Sequence, residues 1–449
     1  MTATVVVDIG KTNVKLALID AEGRQLAERR RANVVLRDGP YPHHDTEGIW
    51  HWMLHGLREF ATLATIDAIV PVTHGATAAL VDDDGPTLPI PDYEHEPAAP
   101  LAQYLAMRPP YADTRSPRLP AGLNLGRQLA WLATAYPIEF ARTRHILMYP
   151  QYWAWRLCGV AAGEVTSLGC HTDLWDPGRQ RYSSLVDDMG WQSLMPPLRR
   201  AWDTLGTILP ELAAQTGLPA GCRVVCGIHD SNASLLRHLG GDDVPAVLST
   251  GTWVIAAAPG KSLDGLREEA DMLANTSALG HAVPSMRFMG GREFAELAGS
   301  APVSCSAGAL QRMIDGGTYA LPGFAGAGGP FAGRAGSIVG PAPVNDTERC
   351  ALATLYCVLM SDYCLTALGA DGAVVVEGSF TGNPHFAPLL AALRPGQSIA
   401  VTDDASGTTC GGWMLAHWGR VPGVRSSVAA PLALRGLGAY RDAWLAQLN

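Results

Sequence analysis

Three short stretches place carboxylates, hydroxyls and glycines together at the ends of apolar runs. Asp8–Asn13 reads DIGKTN after a run of valines, Gly227–Ser234 reads GIHDSNAS, and Ser249–Trp253 reads STGTW. Glycine lets backbone N–H groups come close to an anion, and Ser and Thr hydroxyls add donors. Two such turns facing each other across a cleft grip a polyphosphate from both sides. An Asp in the first turn holds Mg²⁺, usually through water. Taken singly, each stretch is a weak signal, since a glycine after a strand is most often just a turn. The signal lies in their order and spacing.

The elements that must carry these turns are legible from periodicity. Val5–Val7 and Val14–Ile19 read as strands around the first turn, and Gln25–Val35 as a third strand. Ile49, Met53, Leu57 and Phe60 recur at helical spacing within Asp45–Ala64. Asp67–Val72 reads as a short buried strand ending at THGAT. Pro97–Pro120 reads as irregular, Ile146–Leu157 as one helical stretch containing PQYWAWRL, and Leu205–Gly217 as connecting structure. Arg223–Gly227 reads as the strand before GIHDSNAS, with a helix at Ser231–Leu239. Gly240-Gly241-Asp242-Asp243 reads as a hinge, after which VPAVLSTGTWVIAAA repeats strand, small polar turn, strand. A Gly/Ala-rich loop (Gly316–Gly340), a long helix (Thr347–Ala367), a strand (Ala373–Glu377) and a helix near Gly411–Trp418 follow. The repeat is at domain scale, with residues 1–243 and 244–449 as the two domains.

The bulk composition narrows the function classes. The 449 residues suffice for two or three domains, and 47% hydrophobic against 17% charged is a globular balance. The net charge of -9 and the lack of a long basic run argue against nucleic acid as the main partner. The Arg29-Arg30-Arg31 triplet reads as a solvated strand end. No apolar run reads as long enough to cross a membrane, and the N-terminus lacks the layout of a signal peptide. The nine cysteines are odd in number and scattered, with no zinc spacing, which points to reduced thiols in the cytoplasm.

With DIGKTNVK, PVTHGA, GIHDSNAS, LSTGTW and DDASGTTCGGWMLA in this order along nearly the whole chain, the sequence resembles the FGGY family of carbohydrate kinases. The resemblance implies an α/β fold of two actin-like (ribonuclease H-like) ATPase domains with a central cleft. Trp253, the GGREF of Gly290–Phe294 and His229 before Asp230 resemble the rhamnulokinase and fuculokinase branch. By the same resemblance Asp230 is the general base that accepts the proton of the attacking sugar hydroxyl, with the helix N-cap as its plainer reading. Asp8 and Asp230 are the implied carboxylates at Mg²⁺. Gly10, Thr12, Asn13, Thr250, Gly251 and Thr252 are implied contacts to the phosphates of ATP. Lys11 departs from the family, which usually has a hydroxyl residue there. It reads either as a cation for the γ-phosphate or as a solvent-facing side chain. At the adenosine end VVVEGSFTGNP departs further, with Gly378, Asn383, Gly407 and Gly411 as candidate contacts and Glu377 and Phe380 unexpected.

His74 and Gly75 stand where the family contacts its polyol, and Gln151, Trp153, His171 and His229 are further sugar candidates. Each has a packing alternative, as do the two tryptophans of PQYWAWRL. The expected activity is ATP- and Mg²⁺-dependent phosphorylation of a small ketose such as L-rhamnulose or L-fuculose. The rivals are a kinase of a pentulose, polyol or sugar acid, and a non-catalytic ATP or sugar sensor. The expected partners are the sugar and ATP, without nucleic acid or membrane. A homodimer is left open.

Overall fold

The valine run at residues 5–7 is buried because its strand is paired on both sides and covered on both faces, the setting in which strands read as continuous apolar runs. In the computed structural model the described residues are all but 98–101, 242, 300–303, 327, 403–406, 424–425 and 449. They form two compact units. The first comprises Met1–Arg237, Ala274–Ala282 and Ser406–Pro422, and the second His238–Leu273, Val283–Ala405 and Gly423–Asn449.

In the first unit β1 (Thr2–Ile9), β2 (Asn13–Asp20) and β3 (Gln25–Ala32) form an antiparallel meander. β1 also pairs in parallel with β4 (Thr65–Thr73), which pairs in parallel with β6 (Arg223–Val225) and β7 (Ile228–His229). β5 (Thr204–Thr207) closes that edge, antiparallel to β6. The Arg triplet lies on β3 at the opposite edge, where charge discourages pairing with another chain. Arg29 pairs with Glu59, Arg30 with Glu28, and Arg31 with Asp45 at 2.7 Å. Helix α1 (Thr46–Ala61) starts where Asp45 accepts from Gly48 N at 2.9 Å, and it buries Ile49, Met53, Leu57 and Phe60.

In the second unit the same order recurs. β8 (Ala246–Thr250) pairs antiparallel with β9 (Val254–Ala257), which pairs antiparallel with β10 (Ala282–Phe288). On its other side β8 pairs in parallel with β11 (Val374–Gly378), then β12 (Ile399–Thr402), with β13 (Ser426–Val428) antiparallel at the edge. The duplication read from the sequence is therefore a duplication of sheet topology.

Several elements differ from the sequence reading. Ile146–Leu157 divides into a strand, His145–Met148, and helix α2 (Tyr149–Cys158), because Pro150 suits a first helical turn and not its interior. Leu205–Gly217 holds β5 and a helix, Pro210–Thr216, again begun by a proline. Within Pro97–Pro120 lie short helices at Ala102–Met107 and Tyr111–Thr114, with residues 98–101 outside the described set. The Gly316–Gly340 loop contains the paired strands Tyr319–Leu321 and Ser337–Val339. Residue 242 of the expected hinge, and residues 403–406 of the DDASGTTCGGWMLA motif, lie outside the described residues.

The long helix Asp346–Ala367 has 22 residues and, by length and composition, the apolar content of a membrane span, contrary to the reading that no run reaches that length. Its apolar window is 83% buried inside the protein, as expected of a core helix. All nine cysteines are buried, and none is in a disulfide.

A late segment of the chain returns to the first sheet. Helix α3 (Asp230–Leu236) packs against helix α4 (Gly407–Ala416), and both belong to the first unit. A Cβ on Gly411 would lie 2.0 Å from Ala233 O, so only glycine permits the approach. A Cβ on Gly412 would meet Val6 at 2.6 Å and Val72 at 3.1 Å. Gly411→Ala is therefore expected to force the helices apart and destabilise the protein by about 1–3 kcal/mol. An unchanged urea midpoint would show that the helices do not meet in this way.

Candidate functional site

The first unit gathers Asp8, Lys11, His74, Gly75, His229 and Asp230 around the ends of β1, β4 and β7. The adjacency follows from strand pairing. Asp8 is opposite Val72 and Ile9 opposite Thr73 in the parallel β1–β4 pair, and His229 is opposite Thr73 in the parallel β4–β7 pair. The strands therefore end side by side, with His74 and Gly75 following β4 and Asp230 following β7.

Asp230 begins α3, and its Oδ1 accepts from Ser231 N at 2.6 Å. Burial and then the charge of nearby Asp8 push its pKa up to about 6, while His74 opposes the rise. His229 Nε2 lies 3.2 Å from the same Oδ1. Burial lowers the His229 pKa to about 4, so the ring is neutral at pH 7. The Asn232 amide nitrogen stands 3.3 Å from His229 Nδ1. If that amide donates, the ring proton sits on Nε2 and donates to Asp230. Gly75 leaves room for this ring, since a Cβ there would lie 2.8 Å from His229 Nε2.

The segment leading to Asp230 is held by buried polar side chains. Gln151 Nε2 donates to Cys226 O at 3.1 Å and Gly227 O at 3.3 Å. His229 N donates to Thr166 Oγ1 at 3.1 Å, and Thr166 N and Oγ1 donate to the Glu164 carboxylate. Glu164 is fully buried, and burial pushes its pKa up to about 7 against the Thr166 hydrogen bonds. Gly227 has φ +89°, and a Cβ there would lie 2.5 Å from Pro71 O.

His74 is 5% exposed, and burial lowers its pKa to about 4. Its Nδ1 lies 3.0 Å from Gly75 O, so that nitrogen carries the proton and Nε2 is an acceptor. Nε2 is buried without a partner, as are both ring nitrogens of His44 and the Tyr149 hydroxyl, whose rings stand 5.1 Å from His74. A cluster of orphaned buried polar atoms of this kind suits a ligand rich in hydroxyls.

The first hairpin turn is tight, with Gly10 N donating to Asn13 O at 2.9 Å. Thr12 and Asn13 are exposed at its tip. Lys11 folds away from the tip and pairs with Asp92, with Glu94 Oε2 at 3.5 Å and the Tyr93 ring centroid at 4.8 Å. Asp8 Oδ2 accepts from Thr408 Oγ1 at 2.6 Å and lies 3.3 Å from Lys15 Nζ. No group of three or more metal-ligating side chains occurs among the described residues. The donor set, Asp8 with Asp230 nearby, fits a hydrated Mg²⁺ held mainly by substrate phosphate, since this ion commonly takes one or two carboxylates.

Other expected residues are placed differently. Trp153 is fully buried in the core with Tyr149 and Tyr152, so the expected sugar contact is corrected to packing. Gln151 is likewise fully buried and supports the Asp230 segment from behind. His171 has φ +43°, and its Nδ1 bonds Leu123 O at 2.7 Å. Gly407 and Gly411, expected to approach the purine, instead serve the contact of α4 with α3, where a Cβ on Gly407 would meet Ser234 Oγ at 3.0 Å.

In the second unit Gly251 N donates to Trp253 O at 2.9 Å, which closes the turn after β8. Thr250 Oγ1 donates to Glu377 O at 2.6 Å and accepts from Phe380 N at 2.9 Å, tying β8 to the turn after β11. Gly291 N donates to Thr252 O at 3.2 Å. Gly378 has φ +88°, with its would-be Cβ 2.0 Å from Thr250 O. Asn383 is buried with both ends of its amide engaged, to Thr354 Oγ1 at 2.9 Å and from His385 N at 3.0 Å.

The sequence reading missed Thr408, Thr166, Glu164, Asn232, His44 and Asp92. Thr408 and Asn232 lie inside recognised motifs; Thr408 meets Asp8 through helix packing, whereas Asn232 meets His229 three residues earlier in the same motif. Glu164, Thr166, His44 and Asp92 have no local signal, because each meets the site through contacts distant in sequence.

Residues 3–237 match the FGGY family of carbohydrate kinases, N-terminal domain, and residues 243–423 match the carbohydrate kinase FGGY, C-terminal domain. A crystal structure of a carbohydrate kinase from Novosphingobium aromaticivorans is 37% identical, with a TM-score of 0.92, covering 99% of this chain and 98% of that one. The L-fuculokinase of Salmonella typhi is 25% identical over 56% of this chain and 55% of its own length. A probable L-xylulose kinase of Pasteurella multocida is 24% identical over 58% and 56%. The chain spans a little over half the length of these two curated relatives.

Gln151→Leu removes the donor to two buried carbonyls. It is expected to lower stability by about 1–3 kcal/mol, read as a drop in urea midpoint. A midpoint equal to wild type would remove Gln151 from the support of Asp230.

Proposed function

Because the chain belongs to the FGGY family of carbohydrate kinases, we propose that it transfers the γ-phosphoryl group of ATP to a hydroxyl of a small ketose. L-Fuculose and L-rhamnulose are the first acceptors to consider, in view of the likeness to an L-fuculokinase. The likeness to a probable L-xylulose kinase makes a ketopentose the second. The observation that carries the reading is Asp230. It is a carboxylate with a raised pKa, oriented by a neutral histidine and standing beside a second carboxylate, Asp8.

In this mechanism Asp230 accepts the proton of the sugar hydroxyl as its oxygen meets the phosphorus. The contacts from Ser231 and His229 both fall on Oδ1, which leaves Oδ2 for the incoming proton. His229 fixes the carboxylate's orientation, and Gly75 makes room for the imidazole. His74 Nε2 accepts a hydrogen bond from another sugar hydroxyl, which gives its orphaned lone pair a partner. Gly10, Thr12 and Asn13 of the first unit's hairpin are proposed phosphate contacts. Bound Mg²⁺ neutralises charge on the phosphates, and Asp8 is the residue proposed to hold it through water. Nine cysteines without a disulfide fit a cytoplasmic setting.

The test is ADP release with ATP and Mg²⁺ across a panel of ketoses, aldoses and polyols, with Asp230→Ala alongside. Turnover with one or two ketoses is expected, with kcat lowered about 10²–10⁴-fold in the variant. Asp230 acts deprotonated, so kcat/KM is expected to rise with pH through about 6 and level above it. Flat ADP release across the panel, or full activity in Asp230→Ala, would refute the reading. The stability effect has the opposite sign. A folded-state pKa above 3.8 means the contribution is present below that value and lost as pH rises through about 6.

A further inference from the structure

We propose that Lys11, with Asp92, reads the acceptor and not the nucleotide, and that this pair suits a neutral, polyhydroxylated acceptor. The inference rests on the sugar-kinase reading and assigns a residue that the family pattern leaves open. Lys11 sits in the phosphate hairpin by sequence, yet its side chain leaves the tip to Thr12 and Asn13 and folds onto Asp92. An ammonium has three donors. Here one meets Asp92, a second reaches toward Glu94 at 3.5 Å, and the third remains for a ligand oxygen. To serve a phosphate, Lys11 would have to abandon a partly buried carboxylate, whose side chain is 7% exposed.

The surroundings of the pair point to the acceptor. The Tyr93 ring lies under the Lys11 ammonium and 5.5 Å from the His74 ring. His74 in turn is close enough to Asp230 and Lys11 to feel both charges. Lys11 therefore stands on the same wall as the orphaned His74 Nε2. Asp92 Oδ1 accepts from Lys11 and from Glu94 N at 3.2 Å, while Oδ2 carries no hydrogen bond among the described residues. An ammonium donor and a carboxylate acceptor side by side match two neighbouring hydroxyls of a sugar.

The charge balance selects the class. At the pair itself two carboxylates, Asp92 and Glu94, stand against the single ammonium of Lys11. A sugar acid would bring another carboxylate into a region with surplus negative charge, so the aldonate or uronate counterpart of a good substrate is expected to be rejected.

The experiment compares wild type, Lys11→Met, Lys11→Arg and Asp92→Asn. Steady-state kinetics are run with the preferred sugar and with its acid counterpart, and ATP affinity is measured separately by calorimetry. Lys11→Met is expected to raise the acceptor KM about tenfold to a hundredfold, with the ATP dissociation constant within about threefold of wild type. Lys11→Arg should recover part of that loss by keeping the charge, and Asp92→Asn should follow Lys11→Met if one variant folds poorly. Weakened ATP binding with an unchanged acceptor KM overturns the assignment, as does good turnover of the sugar acid. Wild type that turns over no sugar removes the kinase reading, and this inference with it.

Discussion

Helix α4 can lie against α3 only because residue 411 has no side chain. That contact arranges much of the first unit's functional end. Gly411 faces Ala233 at a distance no Cβ would tolerate, and Gly412 lies against Val6 and Val72 of the two central strands. One turn before them, Thr408 then reaches Asp8 with a 2.6 Å hydrogen bond. A segment near the end of the chain thus fixes a carboxylate near its beginning. It also packs on the helix that Asp230 opens. Small residues are the means of bringing the two helices close, as ridge and groove packing requires.

Around this contact the site is held by polar groups taken out of water and satisfied in the protein. Gln151 holds the carbonyls before Asp230, Thr166 holds His229 N, and Glu164 holds Thr166. Asn232 stands at one ring nitrogen of His229, and Asp230 at the other. Buried groups of this kind are costly when unpaired, so the fully paired ones fix geometry. The exceptions are informative in the opposite sense. His74 Nε2, the Tyr149 hydroxyl and both His44 nitrogens are buried without partners, and they cluster on one wall. The unpartnered His74, Tyr149 and His44 atoms gather where a polyol is proposed to bind.

Both units use one sheet plan: an antiparallel meander, two parallel neighbours and an antiparallel edge strand. The plan puts a hairpin turn beside the end of a parallel strand in each unit. In the first, that places Gly10–Asn13 beside His74, and in the second Gly251–Trp253 beside Gly378. The close approach of Gly378 to Thr250 O shows the same use of a missing side chain at a strand end. The two hairpins have diverged in charge. Only the first carries a lysine, and its partner Asp92 comes from a different loop.

The sequence by itself determined the local elements and their order. Valine runs bounded by glycine-bearing turns made the hairpins legible, helical spacing made α1 and the Asp346–Ala367 helix legible, and the recurrence of strand, turn, strand showed the duplication. The ordered motifs pointed to Asp8 and Asp230. What tertiary structure decided was which side chains those residues would meet. Gly407 and Gly411 read as glycines for a purine and are glycines for a neighbouring helix. Trp153 reads as a sugar contact or as core packing, and it is core. Lys11 reads as a phosphate cation or a solvent-facing side chain and is paired with Asp92, 81 residues away. The reason is physical. Backbone conformation depends on near neighbours along the chain, whereas burial and charge pairing depend on neighbours in space, which one sequence does not reveal.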